Sequence, residues 1–265
     1  MRAAGLVVWQ AHQAAARILK PGVSTEQLNQ AYRDTFTRCD ATPLFLNYGG
    51  PPGFPAETCI SINDEIVHGI PGSRLVEEGD LVSLDTGCRL NGWCGDAAVT
   101  HAVGSISVSH QKLLDVTLGA LNLAIELMAT CSRWSQVAKE MEHLVKSAGF
   151  FVVEEMVGHG IGQNLHEPPQ VPNYLSEALQ GSEDFDLRPG VVLAIEPMVN
   201  LGTNAVVCLD DDWTLVTDDG KASAHFEHTI AITGEGPLRL TGPPSEEELR
   251  ELPDWLQDRE QWVIW

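Results

Sequence analysis

A pattern that occurs twice constrains this chain more than any single residue does. Two helical stretches, about residues 2–19 and 25–38, precede extended segments near 57–63, 80–88 and 93–103. Near residue 108 the order begins again. Helices are predicted at about 109–130 and 134–148, followed by the strand-like stretches "FFVVEEMVG" and "GVVLAIEPMVN". The first helix pair is punctuated by "PGVSTEQ", in which Ser24 and Gln27 have the spacing of a capping box. The repetition extends to short motifs. "VHGIP" at 67–71 matches "GHGIG" at 158–162, and "GDLVSLD" and "GVVLAIE" each run from a glycine to a carboxylate, Asp85 and Glu196. Two α/β halves that face each other, with a site where they meet, account for the set.

At 265 residues the chain suits one large domain or two small ones, and a hydrophobic content of 43% is enough for a sizeable core. A formal net charge of −21 argues against nucleic acid or an anionic membrane surface as a partner, because phosphate binding needs concentrated Lys and Arg. The six cysteines form no CxxC pair and read as reduced thiols of a cytoplasmic protein. The N-terminal stretch is amphipathic and lacks the apolar core and cleavage site of a signal peptide. The apolar run from Leu113 to Cys131 is interrupted by Asp115, Asn122 and Glu126, so it reads as a helix of the fold and not as a membrane span.

The segment "GHGIGQNLHEPPQVPNY" at 158–174 crowds two histidines, His159 and His166, among alternating glycines. The spacing is not that of a dinucleotide loop, and no Lys-Ser or Lys-Thr follows, so a P-loop is also excluded. The acids elsewhere supply a meaning. In "LVSLDTGCRLNGWCGDAAVTHAV" the Asn91-Gly92 pair predicts a tight hairpin that sets Gly87 opposite Asp96. Asp85 then lies diagonal to Asp96 on one face, roughly 7–8 Å away at the backbone. No Lys or Arg shares that face, so either one acid is protonated or a cation holds both. Glu196 and Glu227 sit in stretches that read as buried strands, where an unpaired carboxylate costs several kcal/mol. An ion pair with one of the 16 basic residues is the plain alternative for any single acid. Taken together, Asp85, Asp96, His159, Glu196 and Glu227 suit two adjacent divalent ions that activate water.

The ordered set "CISINDEIVHGIP", "LDTGCRLNGWCGD", "GHGIGQNLHEPPQVPNY", "AIEPMVN" and "FEHTIAIT" resembles the type I methionine aminopeptidases over about residues 1 to 235. That resemblance implies an α+β pita-bread fold, two pseudo-symmetric αβ halves around a central antiparallel sheet. It places a single catalytic domain at 1–240, with halves at 1–107 and 108–240, and leaves 241–265 as an acidic tail expected to be a peripheral turn of helix. It implies release of the initiator methionine from nascent polypeptides whose second residue is small. A monomer with transient ribosome contact is the expected state. Asp96 and Glu227 would bridge two ions (Mn, Fe, Co or Zn), Asp85 would serve one, and His159 with Glu196 the other. A bridging hydroxide would attack the first peptide carbonyl, with Glu196 moving the proton, His68 at the scissile amide and His166 at the oxyanion. Phe54, Cys59 and Trp213 would line the methionine pocket.

The sequence departs from the family pattern at Leu165, at "GWCGD", at Gly87 and in "LNYGGPPGFP". Proline-specific peptidases of the same fold use the same five ligands but usually carry a further N-terminal domain. Non-catalytic modules of the fold tend to have lost ligands that are all present here.

Overall fold

The computed structural model describes residues 1–256 and 259–265, so residues 257–258 of the tail lie outside it. Helices α1 (Arg2–Ile18) and α2 (Thr25–Arg38) open the chain. The capping box forms as the spacing predicts: Ser24 accepts from the Gln27 N–H while the Gln27 side chain reaches back to the Ser24 N–H. Both helices pack beside a sheet whose centre is the hairpin of Leu81–Leu90 and Trp93–Ala102. Its turn carries positive φ at Asn91 (51°) and Gly92 (81°), the backbone that an Asn-Gly pair accepts with least strain. Leu90 pairs with Trp93, Cys88 with Gly95 and Gly87 with Asp96, the expected register. Cys59–Ile62 lies on the other side of the Leu81–Leu90 strand, with Cys59 opposite Asp85.

The second half repeats the order. Helices α3 (Val108–Leu127) and α4 (Trp134–Ser147) precede a five-stranded sheet of Gly236–Arg239, His228–Thr233, Val192–Ile195, Gly158–Gly160 and Glu167–Val171. Two threonines stitch the halves together. Thr229 Oγ1 donates to the Asp96 carbonyl at 2.8 Å and accepts from the Asp96 N–H at 3.0 Å. Thr100 Oγ1 does the same for His225, at 2.7 and 2.8 Å. Strands with no shared ladder are thereby joined at the residues that flank the site.

Three expectations need correction. The stretch 150–158 is not one strand: Phe151–Val152 pairs with Val199 and Asn200, the exposed Glu154 and Glu155 break the apolar alternation, and Gly158 begins a separate strand. "GVVLAIEPMVN" forms two strands, Val192–Ile195 and Met198–Asn200, since Pro197 has no N–H for the ladder. The tail is not peripheral. It contains the short helix Glu246–Leu249, but Leu256 and Trp265 join the main hydrophobic core. Among the described residues no helix is long and apolar enough to cross a membrane.

Close backbone approach sets where α1 sits. A Cβ built on Gly5 would lie 2.1 Å from the Leu240 carbonyl oxygen, and one on Gly95 would lie 2.8 Å from the Gly5 nitrogen. Gly5→Ala gains about 1 kcal/mol of helix propensity. The backbone clash outweighs that, because overpacking of this kind costs about 1–3 kcal/mol and here falls on a main-chain atom that cannot rotate away. The variant is expected to unfold at lower urea concentration than the parent; an unchanged or higher midpoint would show that α1 can slide off this contact.

Candidate metal centre

Each acid of the site stands where the backbone gives it no choice of direction. Asp85 and Asp96 project from adjacent strands of the hairpin, and a Cβ at Gly87 would come within 3.0 Å of Asp96 Oδ1, so the glycine makes room for the carboxylate. Glu196 follows the last residue of the 192–195 strand and precedes Pro197. Glu227 occupies the step between Ser223–His225 and His228–Thr233. His159 lies mid-strand in Gly158–Gly160, where backbone oxygens of Ala194 and Pro168 would meet any Cβ at the two glycines at 2.3 Å. Those glycines let neighbouring strands close around the imidazole.

The five side chains line one cavity of about 250 Å³. Donor atoms of Asp96, His159 and Glu227 all lie within 4.8 Å of one another. Glu196 joins them through Oε1, 3.6 Å from His159 Nε2, while His159 Nε2 is 4.0 Å from Asp96 Oδ2. Among the described residues that line the cavity, none is Lys or Arg. Asp85 Oδ1, Asp96 Oδ1 and Glu227 Oε1 are buried without a hydrogen-bond partner.

Burial, compounded by neighbouring acids, pushes the carboxyls of Asp85, Glu196 and Glu227 well above their ordinary range. Burial carries Asp96 up to about 7 against the pull of the Ala97 N–H, and burial with the neighbouring His166 brings His159 down to about 4. Orphaned carboxylate oxygens beside a neutral imidazole, with no Lys or Arg among the described lining residues, fit divalent metal: hard oxygen donors and one nitrogen in one cavity.

The same cavity collects the other residues singled out in the sequence. His68, His166, Phe54, Cys59 and Trp213 all line it. His68 is held at φ 61°, a strained backbone for a non-glycine residue. Its side chain is half-buried, and desolvation lowers its pKa to about 4, so it is neutral near pH 7. The His166 ring lies edge-on to His159 at 4.3 Å. Phe54 packs edge-on to Trp213 at 5.3 Å, and burial raises the Cys59 thiol, which stays protonated and acts as a small apolar wall.

Sequence reasoning missed three residues. Tyr48, from the irregular "LNYGGPPGFP" segment, places its hydroxyl 2.6 Å from His166 Nδ1. Asn173 donates to the Glu196 carbonyl at 3.1 Å. His225, two residues before Glu227, is fully buried with both ring nitrogens unpartnered and Nε2 3.7 Å from Glu196 Oε2. The "HxE" spacing could have pointed to His225, because alternation puts both side chains on one face of an extended strand. Nothing local marks Tyr48, which reaches His166 across 118 residues.

Comparison with known proteins agrees with this geometry. The sequence profile of metallopeptidase family M24 matches residues 1–234. Methionine aminopeptidase 1 of Bacillus subtilis is 46% identical over 236 residues, covering 89% of this chain and 92% of that protein. The crystal structure of methionine aminopeptidase from Thermotoga maritima superposes with a TM-score of 0.85 at 40% identity, covering 91% of this chain and 94% of the other. Prolidase from Pyrococcus furiosus shares the fold, with a TM-score of 0.72 at 21% identity over 92% of this chain and 63% of its own. The architecture is therefore the pita-bread fold.

Metal should stabilise the protein by relieving the repulsion among these acids. At a hundredfold excess over Kd, Mn(II) is expected to raise stability by about 2.7 kcal/mol relative to a chelated sample. Asp96→Asn removes one repelling charge. Its metal-free form should melt at or above the parent temperature while the Mn(II)-dependent rise shrinks. Calorimetry with and without chelator checks both, and an undiminished rise in the variant would exclude Asp96 as a donor.

Proposed function

The chain belongs to metallopeptidase family M24, and from that premise we propose that it is a methionine aminopeptidase, releasing the N-terminal methionine of nascent proteins and peptides whose second residue is small. The observation that carries this reading is the make-up of one cavity: acids and imidazoles form one wall, and Phe45, Phe54, Cys59 and Trp213 form an apolar wall within it. An unbranched thioether side chain suits such a wall, and the scissile bond would then lie against the polar side.

Asp85, Asp96, His159, Glu196 and Glu227 would hold two divalent ions. When bound, such ions supply the Lewis acidity that makes water a nucleophile near neutral pH. The protein's own groups do the positioning and proton transfer. Glu196 is flanked by His159 at 3.6 Å and His225 at 3.7 Å, a position from which it would accept a proton from the nucleophile and return it to the leaving amine. In the tautomer that accepts from the Tyr48 phenol at Nδ1, His166 carries its ring proton on Nε2, the atom needed by a carbonyl oxygen as charge develops on it. His68, neutral and fixed by its strained backbone, faces the scissile amide. The apolar wall excludes competing water.

Turnover of Met-Ala-Ser and Ala-Pro-Ser, with added Mn(II) or Co(II) and again after chelation, tests the reading. Metal-dependent release of methionine from the first peptide alone is expected; cleavage only before proline would place the chain with the proline peptidases of this fold. Glu227→Gln should abolish turnover with the fold retained. His166→Ala should lower kcat by about 10²–10³.

A further inference from the structure

Residues beyond 240 lie outside the span matched by the family profile, yet they run back over α1 to the rear of the metal centre. The Arg2 guanidinium starts the attachment. It meets both oxygens of Glu248 at 2.9 Å and donates to the carbonyls of Leu240, Gly242 and Pro243. Gln13 then exchanges two hydrogen bonds with the main chain of Val263, each 2.8 Å, and Trp262 stands edge-on to Trp9 at 5.0 Å. The segment ends in Trp265, 4% exposed, whose ring stacks on His228 at 5.4 Å and 16°.

Trp265 Nε1 donates to the Glu227 carbonyl at 3.3 Å. Glu227 lies in the step between two strands, outside their ladders, so its main chain relies on other partners. Its N–H donates to Ala98 on the hairpin at 2.8 Å, and its carbonyl takes the indole. The Trp265 carbonyl in turn accepts from His228 Nε2 at 3.0 Å and from Arg239 at 2.7 Å. A carbonyl can only accept, so His228 carries its proton on Nε2, and its Nδ1 accepts from Thr241. Indole, imidazole and main chain therefore form a closed circuit around the peptide that follows Glu227.

We propose that Trp265 is a positioning residue for Glu227: its indole N–H fixes the peptide from which the Glu227 side chain departs, and so sets how tightly the centre holds metal. The proposal rests on the reading of Glu227 as a metal ligand. It assigns to this chain a support for the site that comes from beyond the family's shared core.

Titration of metal-free protein with Co(II), followed by its visible absorption, tests it in the parent, Trp265→Phe and Gln13→Ala. Phenylalanine keeps the stacking on His228 and removes the N–H. Trp265→Phe is expected to bind Co(II) about tenfold more weakly, at the lower end of what outer-shell partners of ligands contribute. Gln13→Ala loosens the same tail without touching Glu227, and it is expected to lower the metal-free melting temperature with a smaller loss of affinity. Parent-like affinity in Trp265→Phe overturns the proposal, as do equal losses in the two variants. No Co(II) spectrum in the parent would instead remove the metal reading itself, and the proposal with it.

Discussion

Four carboxylates opening on one cavity, with no Lys or Arg among the described residues that line it, repel one another where burial limits screening. The rest of the structure holds that repulsion in place. The hairpin sets two acids at fixed register, and the chain breaks at Glu196-Pro197 and at Phe226-Glu227 aim the other two inward. Thr229 and Thr100 lock the halves across the cavity with reciprocal side-chain bonds, which do not depend on strand pairing. Raised carboxyl pKa values follow from burial and crowding, and divalent metal is the species that relieves both.

Behind the acids lies a second layer of neutral rings. Tyr32 and the Ala97 carbonyl bracket His12, while Thr241 and the Trp265 carbonyl bracket His228. Burial lowers both imidazoles to about 3, so neither adds charge behind the acids. The strands that carry the acids thus rest on a wall polar enough to satisfy their carbonyls, in which both imidazoles stay neutral and the Arg239 guanidinium is held by the Trp265 carbonyl.

Much of this was legible in the sequence because the governing rules are local. The Asn91-Gly92 turn dictated the pairing of Gly87 with Asp96, and the Ser24–Gln27 spacing dictated the start of α2. The strand breaks were harder to see. "GVVLAIEPMVN" has the apolar continuity of one strand, and the missing N–H of Pro197 matters only once a partner strand exists to need it. Tyr48, Asn173 and Trp265 were invisible for a different reason. Their partners are 118, 23 and 38 residues away, and no periodicity encodes such a contact. The tail read as an acidic surface feature because Glu246, Glu247 and Glu248 outweigh, in composition, Trp262 and Trp265, which turn inward.

The Arg2–Glu248 contact joins residues 246 apart. In a chain made from its N-terminus onward, α1 and the Asp85–Asp96 hairpin emerge long before Glu196, Glu227 and the tail that closes over α1. During synthesis the early half therefore presents two neighbouring acids without their nitrogen donor or their opposite wall. Contacts of such sequence separation form late and slowly. The five side chains should thus come together only after Glu227 has been made, and the segment that docks onto the first helix would close last over a site whose parts are already present.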